Sequence, residues 1–365
     1  MQIGIVFPSY IEAWKDCEVA EDQGFSHAWF YDTQLLCSDV WATMALCAEH
    51  TSTMRLGTLV AVPSNRIAPV TAAAAATLNA LAPGRVILGL GTGFTARNTM
   101  GLPPVKLADL RTYTEQVRGL LAGEDVLFRE GDAERWIRLL SQDRATGCFN
   151  LDDPIEIHIA ANRPRALRLA GEVGDGWITA GGMPETVGPD AEAVRGAADN
   201  AGRGFATSSG RPFTTVLSTG CILRDGETLA SERPMARVGA ISLPPVHAAW
   251  ESQYGGGSDL GIRNDEMATS YDAYIEELAA ERGSPRDRRY LDVHEGHMMY
   301  LKPGEERFVS PDLVPILSLT GSPEEVLARA RQYADAGIDN LGLQVVPGMA
   351  RELIEEFSRH VIAKL

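Results

Sequence analysis

Short apolar runs rich in β-branched residues alternate along the chain with segments of helical periodicity, the pattern of βαβ units feeding a parallel sheet. It predicts eight strands, at Ile3–Phe7, Ala28–Tyr31, Met54–Val60, Arg85–Gly89, Ile155–Ala160, Gly176–Thr179, Thr214–Leu223 and Asn340–Val346. The intervening helices are predicted at Ile11–Gln23, Val40–His50, Val70–Leu81, Leu107–Ala122, Arg163–Glu172, Glu185–Asn200, Pro323–Ala336 and Met349–Ala363. Ser322-Pro323-Glu324-Glu325 sets a cap residue, a proline at the first helical position and acids in the first turn. Gly24 and Gly337 follow helices as stops and lead into apolar segments. Eight such units predict an α/β fold, a (β/α)8 TIM barrel.

Two stretches break the alternation. Gly91–Asp153 separates strands four and five, and Asp225–Thr320 separates strands seven and eight, so insertions are expected at about 91–153 and 225–320. The second carries Pro244-Pro245, Gly255-Gly256-Gly257-Ser258 and the polar run Glu281–Arg289, the composition of a mobile lid or an oligomer contact. No clean linker is visible, so residues 1–365 are expected to form a single domain. A minimal barrel needs roughly 250 residues, and the two insertions account for the excess.

Composition narrows the function classes. The chain has 49 acidic against 33 basic residues, a formal charge of -16 that repels nucleic acid and anionic membrane surfaces. Met1–Tyr10 lacks a basic and apolar leader pattern, and no segment has the apolar length of a membrane span, so a cytoplasmic location is expected. The five cysteines are dispersed without a CxxC pair, which predicts neither zinc spacing nor a disulfide framework.

In a barrel of this type the chemistry belongs to the loops after each strand. Tyr31-Asp32-Thr33 follows strand two, Pro63-Ser64-Asn65-Arg66 strand three, and Gly91-Thr92-Gly93-Phe94 strand four. The glycine run lets backbone amides approach a ligand, or is a tight turn into the insertion. It fails as a dinucleotide fingerprint because Thr95–Pro104 reads as loop where a helix should begin. Ala161-Asn162-Arg163 runs into a helix and makes an anion site at its N-terminus, unless Asn162 merely caps that helix. Asp32 either caps its loop or accepts a hydrogen bond from a ligand ring N–H. His294-Glu295-Gly296-His297 is not the HExxH spacing of zinc enzymes, so no metal is expected; His297 is either a proton-transferring side chain or a structural one. The candidate catalytic residues are Asp32, Thr33 and His297.

Several stretches together resemble the bacterial-luciferase-like oxidoreductases. They are Thr53-Met54-Arg55-Leu56-Gly57-Thr58, Ala75-Ala76-Thr77-Leu78, Gly89-Leu90-Gly91-Thr92-Gly93, Gly174-Asp175-Gly176-Trp177 and Thr320-Gly321-Ser322-Pro323-Glu324. Within that family the chain is most similar to the branch using the deazaflavin coenzyme F420, which includes methylenetetrahydromethanopterin reductase. The resemblance implies a coenzyme, F420 or FMN, with Asp32, Thr92 and Phe94 near its ring. It implies a non-prolyl cis peptide at Leu59-Val60 backing the ring, and phosphate contacts from Ala161, Asn162, Arg163, Ala180 and Gly181, with Gly91 and Gly93 in the loop between. The implied reaction is F420-dependent hydride transfer to or from a small organic substrate. The alternatives are a two-component monooxygenase using reduced FMN and a non-catalytic flavin-binding barrel. A homodimer and a separate flavin or F420 reductase are the partners it suggests. Sugar-phosphate-oxidising members carry a histidine and a glutamate where this chain has Thr33 and Phe94, so their substrate is not implied.

Overall fold

Eleven strands organise the computed structural model, which describes residues 1–205, 210–255, 264–311 and 313–365. They are β1 (Gln2–Phe7), β2 (His27–Phe30), β3 (Arg55–Thr58), β4 (Val86–Leu90), β5 (Val126–Glu130), β6 (Ala133–Ile137), β7 (Glu156–Ala160), β8 (Gly176–Ala180), β9 (Phe213–Ile222), β10 (Ser318–Gly321) and β11 (Asn340–Gln344). All pairings in the main sheet are parallel. The order β11-β1-β2-β3-β4-β7-β8 closes through β8–β9 and β9–β11. Eight strands therefore make a closed barrel flanked by helices, the TIM barrel that the alternating pattern predicts.

Large side chains fill the barrel because glycines on facing strands make room for them. Trp29 and His158 are wholly buried. A Cβ at Gly57 would lie 2.5 Å from Trp29 Cε3, and one at Gly176 2.6 Å from His158 Cδ2. Several polar atoms toward the N-terminal end of the strands are paired. Trp29 Nε1 donates to Asn340 Oδ1 at 3.0 Å. Glu156 lies 2.9 Å from both Arg55 Nη2 and His158 Nε2. Burial would raise the Glu156 carboxyl, but His158 and Arg55 outweigh it and hold the group at about 2. His27 Nε2 and His158 Nδ1 are left without a hydrogen-bond partner among these otherwise paired groups, and the barrel's chemistry is expected at the opposite end.

Strand ends differ from the sequence reading by a residue or two, and three larger differences stand out. Thr95–Pro104 is not all loop: a five-residue helix, Phe94–Asn98, starts directly after Gly93, whose φ of 81° only glycine adopts readily. Between β4 and β7 the antiparallel pair β5–β6 stands apart from the barrel, and its short exposed strands leave little apolar periodicity to read. Finally, β9 is long enough to pair with β8 over Phe213–Leu217 and then with β10 over Thr219–Ile222.

The segment between β9 and β10 is largely helical, with helices Glu232–Ser242, Pro244–Trp250, Asp265–Arg282 and Arg289–His294. Leu243, Val246, Trp250, Tyr271, Ile275 and Val293 pack there into a small apolar core of their own. The Gly256-Gly257-Ser258 part of the predicted flexible run lies outside the described residues.

Candidate active site

Parallel strands deliver all their C-terminal ends to one mouth, and the loops after β2, β3 and β4 are tied together there. Arg66 Nη1 donates to both oxygens of Asp32, at 2.9 and 2.8 Å, while Nη2 reaches Asp39 Oδ2 at 2.7 Å. Asn65 Nδ2 donates to the Asp32 carbonyl at 3.3 Å and to Gln34 Oε1 at 3.1 Å, and Gln34 Nε2 donates to the Ala96 carbonyl at 2.9 Å. Asp32 is buried. Both of its oxygens thus accept from one guanidinium, which makes Asp32 a clamp on the β3 loop. The Thr33 carbonyl accepts from the Leu36 and Cys37 amides at 3.0 and 2.9 Å, fixing the turn in which its half-buried side chain sits.

Beyond β3 the Leu59–Val60 peptide is cis, as the resemblance implies. Leu59 packs with Val6, Trp29, Ile87, Ile178 and Leu217, and Tyr31, Val60, Ala160 and Met298 lie against that cluster. Gly91 makes this wall possible, because a Cβ there would come within 2.6 Å of Val60 Cγ2 and 3.2 Å of Ala160 Cβ. Thr92 accepts from the Val105 amide at 2.8 Å, and Phe94 is 39% exposed at the rim.

The phosphate expectation is narrowed. Helix Pro164–Val173 has Arg163 at its N-cap position, a proline in its first turn and no side-chain cap. Asn162 does not cap it; its Oδ1 accepts from the Thr179 hydroxyl at 2.7 Å instead. The first-turn amides therefore face the mouth beside the exposed Arg165. Gly181, by contrast, spends its N–H on the Leu217 carbonyl at 2.8 Å, and Gly182 spends its own on Ile316 at 2.9 Å. The Gly181 amide is thus spent within the fold. Ala161 is in the same position, since its amide donates to the Ile178 carbonyl at 3.0 Å. Ala180 is exposed at the end of β8.

Over the mouth lies the turn Glu295–Tyr300. Met298 has φ 61°, and its carbonyl accepts from Gln344 Nε2 at 2.6 Å, while Gln344 Oε1 accepts from the Tyr31 hydroxyl. His297 is buried between this turn and the glycine-run helix, its Nε2 3.4 Å from Thr95 Oγ1. A cleft of about 370 Å³ opens beside it, lined by Leu35, Leu36, Thr99, Gly296, Met299 and Tyr300 among others. Sequence reasoning missed Thr95, Met298 and Gln344 as mouth residues. Gln344 alone had a usable signal, as a polar residue inside an apolar strand pattern.

A family profile described as luciferase-like monooxygenase matches residues 11–340. The chain belongs to that family. As one of its members it is an oxidoreductase, and curated relatives agree. A 5,10-methylenetetrahydromethanopterin reductase of Methanolobus tindarius is 34% identical over 188 residues, 51% of this chain and 55% of the relative, so the match spans about half of that protein's length. An F420-dependent glucose-6-phosphate dehydrogenase of Nakamurella multipartita is 31% identical over 311 residues, covering 79% of this chain and 81% of the relative. Among solved structures, the coenzyme F420-dependent tetrahydromethanopterin reductase of Methanopyrus kandleri superposes with a TM-score of 0.70 at 20% identity, over 100% of this chain and 99% of that one. This last likeness is one of fold. Among the described residues, no helix of this family member is long and apolar enough to cross a membrane.

Proposed function

We propose that the protein is a coenzyme F420-dependent oxidoreductase that transfers a hydride to or from a small organic substrate. The observation that carries this reading is the similarity, running over most of the barrel, to a dehydrogenase whose name specifies F420. The residues at the mouth fit such a coenzyme. A planar ring needs an apolar wall, and Leu59, Val60 and Met298 offer one. A phosphate needs unspent amides and positive charge, and the first turn of helix Pro164–Val173 with Arg163 and Arg165 offers both. When bound, the deazaflavin supplies the carbon that gives or takes the hydride. The chain holds and orients it, and the turn Glu295–Tyr300 excludes water from the reacting face. The apolar lining of the neighbouring cleft favours a substrate with an aliphatic or aromatic portion.

Under this reading a separate flavin or F420 reductase renews the reduced coenzyme, and the working form is a homodimer. Binding of F420 and of FMN, followed by fluorescence, together with hydride transfer across a panel of alcohols, ketones, imines and enoyl compounds, tests the assignment. Tight F420 binding with turnover and no oxygen uptake is expected. Oxygen consumption dependent on reduced FMN would replace it with the monooxygenase reading, and binding without any turnover would favour a non-catalytic barrel.

A further inference from the structure

A line of buried ionisable groups runs from the segment between β9 and β10 to the glycine-run helix. At its inner end Lys302 Nζ lies 2.7 Å from Glu305 Oε1, both residues 1% exposed. The same carboxylate oxygen accepts from the Tyr271 hydroxyl at 2.5 Å and stands 3.3 Å from His247 Nε2. His247 Nδ1 is 2.6 Å from His297 Nδ1, and His297 Nε2 is 3.4 Å from Thr95 Oγ1. Thr95 is half-buried in the first turn after Gly93, on the loop that leaves β4 at the mouth.

Donor and acceptor accounting assigns the protons along this line. The Tyr271 hydroxyl also lies 3.0 Å from His247 Nε2, but its one proton goes to the nearer Glu305 oxygen at 2.5 Å, so both neighbours of Nε2 accept; His247 then carries its proton on Nε2 and presents a lone pair at Nδ1. Two Nδ1 atoms 2.6 Å apart share one proton, which must come from His297. The neutral His297 then has its lone pair on Nε2, aimed at the Thr95 hydroxyl. Burial keeps the pair neutral. It pushes His247 down to about 4, and it drives His297 well below its ordinary value with help from His247, His294 and Lys302. Beyond these, Glu305 and the Tyr271 hydroxyl face His247, and Glu251 lies 2.6 Å from His294 Nε2. Among the described residues no group of three or more His, Cys, Asp or Glu side chains is placed to hold a metal ion.

We infer that Thr95 and His297 exchange the proton that accompanies hydride transfer, with His247 and Glu305 as positioning residues that fix the tautomer. This rests on the hydride-transfer reading above. In the oxidising direction, for an alcohol, the substrate O–H bond breaks and its proton passes to Thr95 Oγ1 as the threonine's own proton moves to His297 Nε2. The electron pair of the substrate C–H bond leaves as hydride for the coenzyme, so the substrate loses two electrons and becomes a carbonyl compound. The histidine pair gains one proton, and the Glu305 carboxylate, shared with Lys302, faces that charge through His247. Reduction runs the same transfers backward from the protonated pair. The arrangement supplies the proton-transfer group missing from a family pattern in which this chain has Thr33 and Phe94.

Two measurements test this. In ligand-free protein, 15N spectra of the histidine rings at neutral pH should show an unprotonated Nε2 on His297 and an unprotonated Nδ1 on His247. A protonated His297 Nε2 overturns the inference whatever the coenzyme proves to be. In the loaded enzyme, Thr95→Val and His297→Gln should bind F420 within about twofold of the parent yet lose on the order of 100-fold or more in kcat, while Thr95→Ser keeps most of it. Glu305→Gln should move the acid limb of the kcat profile. Full turnover by Thr95→Val, a substitution at a half-buried rim position, overturns the relay even if the buried His297 variant does not fold. Failure of the parent to bind or use F420 overturns the proposed function instead, and the ring spectra still decide the tautomers.

Discussion

Trp29 sits inside the barrel with no exposed surface, and its fit depends on what β3 lacks. A methyl added at Gly57 would stand 2.5 Å from Trp29 Cε3 with Ile87 Cβ at 3.4 Å behind it, so neither ring nor strand can yield cheaply. Gly57→Ala should therefore destabilise the protein by roughly 1–3 kcal/mol through overpacking, read as a lower midpoint in urea at unchanged slope. The same contrast of large and small residues explains why the β3 segment Arg55-Leu56-Gly57-Thr58 is informative as sequence: its glycine records a neighbour over twenty residues away. His297 is the opposite case. Its local sequence leaves a proton-transferring and a structural reading open, because its partners His247 and Glu305 carry no local pattern.

At the scale of elements, single ionised side chains tie loops that belong to different βα units. Glu21, near the end of the first helix, accepts the amides of Ser52, Thr53 and Met54, at 2.6 to 3.1 Å, where the chain turns into β3. Burial would raise this carboxyl, but the three amides outweigh it and hold it at about 2. Glu21→Gln should cost roughly 1–2 kcal/mol, seen as a lower melting temperature at neutral pH and a much smaller difference from the parent below pH 3. Arg66 performs the same task at the mouth. Replacing it with methionine leaves Asp32 buried without its partner, at a cost of roughly 2–4 kcal/mol, less than in a fully buried pair because Arg66 is 21% exposed. The variant should also bind coenzyme more weakly, measurable by fluorescence titration.

For the whole molecule, the buried histidines predict how stability follows pH. Burial pushes His27 down to about 3 and His247 to about 4, and lowers His297 well below its ordinary value of 6.5. In the unfolded chain these rings titrate near 6.5, so below that pH the unfolded state binds more protons and gains. The contribution is intact above 6.5 and is lost as pH falls from there toward 4, at up to roughly 1.4 kcal/mol per histidine for each pH unit. Glu156 and Glu305, both held at about 2, add a second loss between about 4.5 and 2. The melting temperature should thus decline from pH 6.5 downward. A flat profile between pH 7 and 5 would show that these rings are already protonated in the folded protein.

The sequence by itself determined the barrel, because strand and helix periods, caps and glycine stops are local quantities, and eight repeats of them leave one closed parallel arrangement. It also pointed to the family and to the Leu59–Val60 peptide, through short runs whose spacing is fixed by the fold. What only the tertiary structure decided was who partners whom. For Asp32 the sequence left a loop cap or an acceptor for a ligand ring N–H, and only the fold shows Arg66 on both its oxygens. That the Gly181 amide is spent on the Leu217 carbonyl is likewise legible only in the fold. His297 stood between a proton-transferring and a structural reading, and its partner His247, fifty positions away, is visible only in the fold. Hydrogen-bond partnership depends on distances between atoms far apart in the chain, and no local period records it.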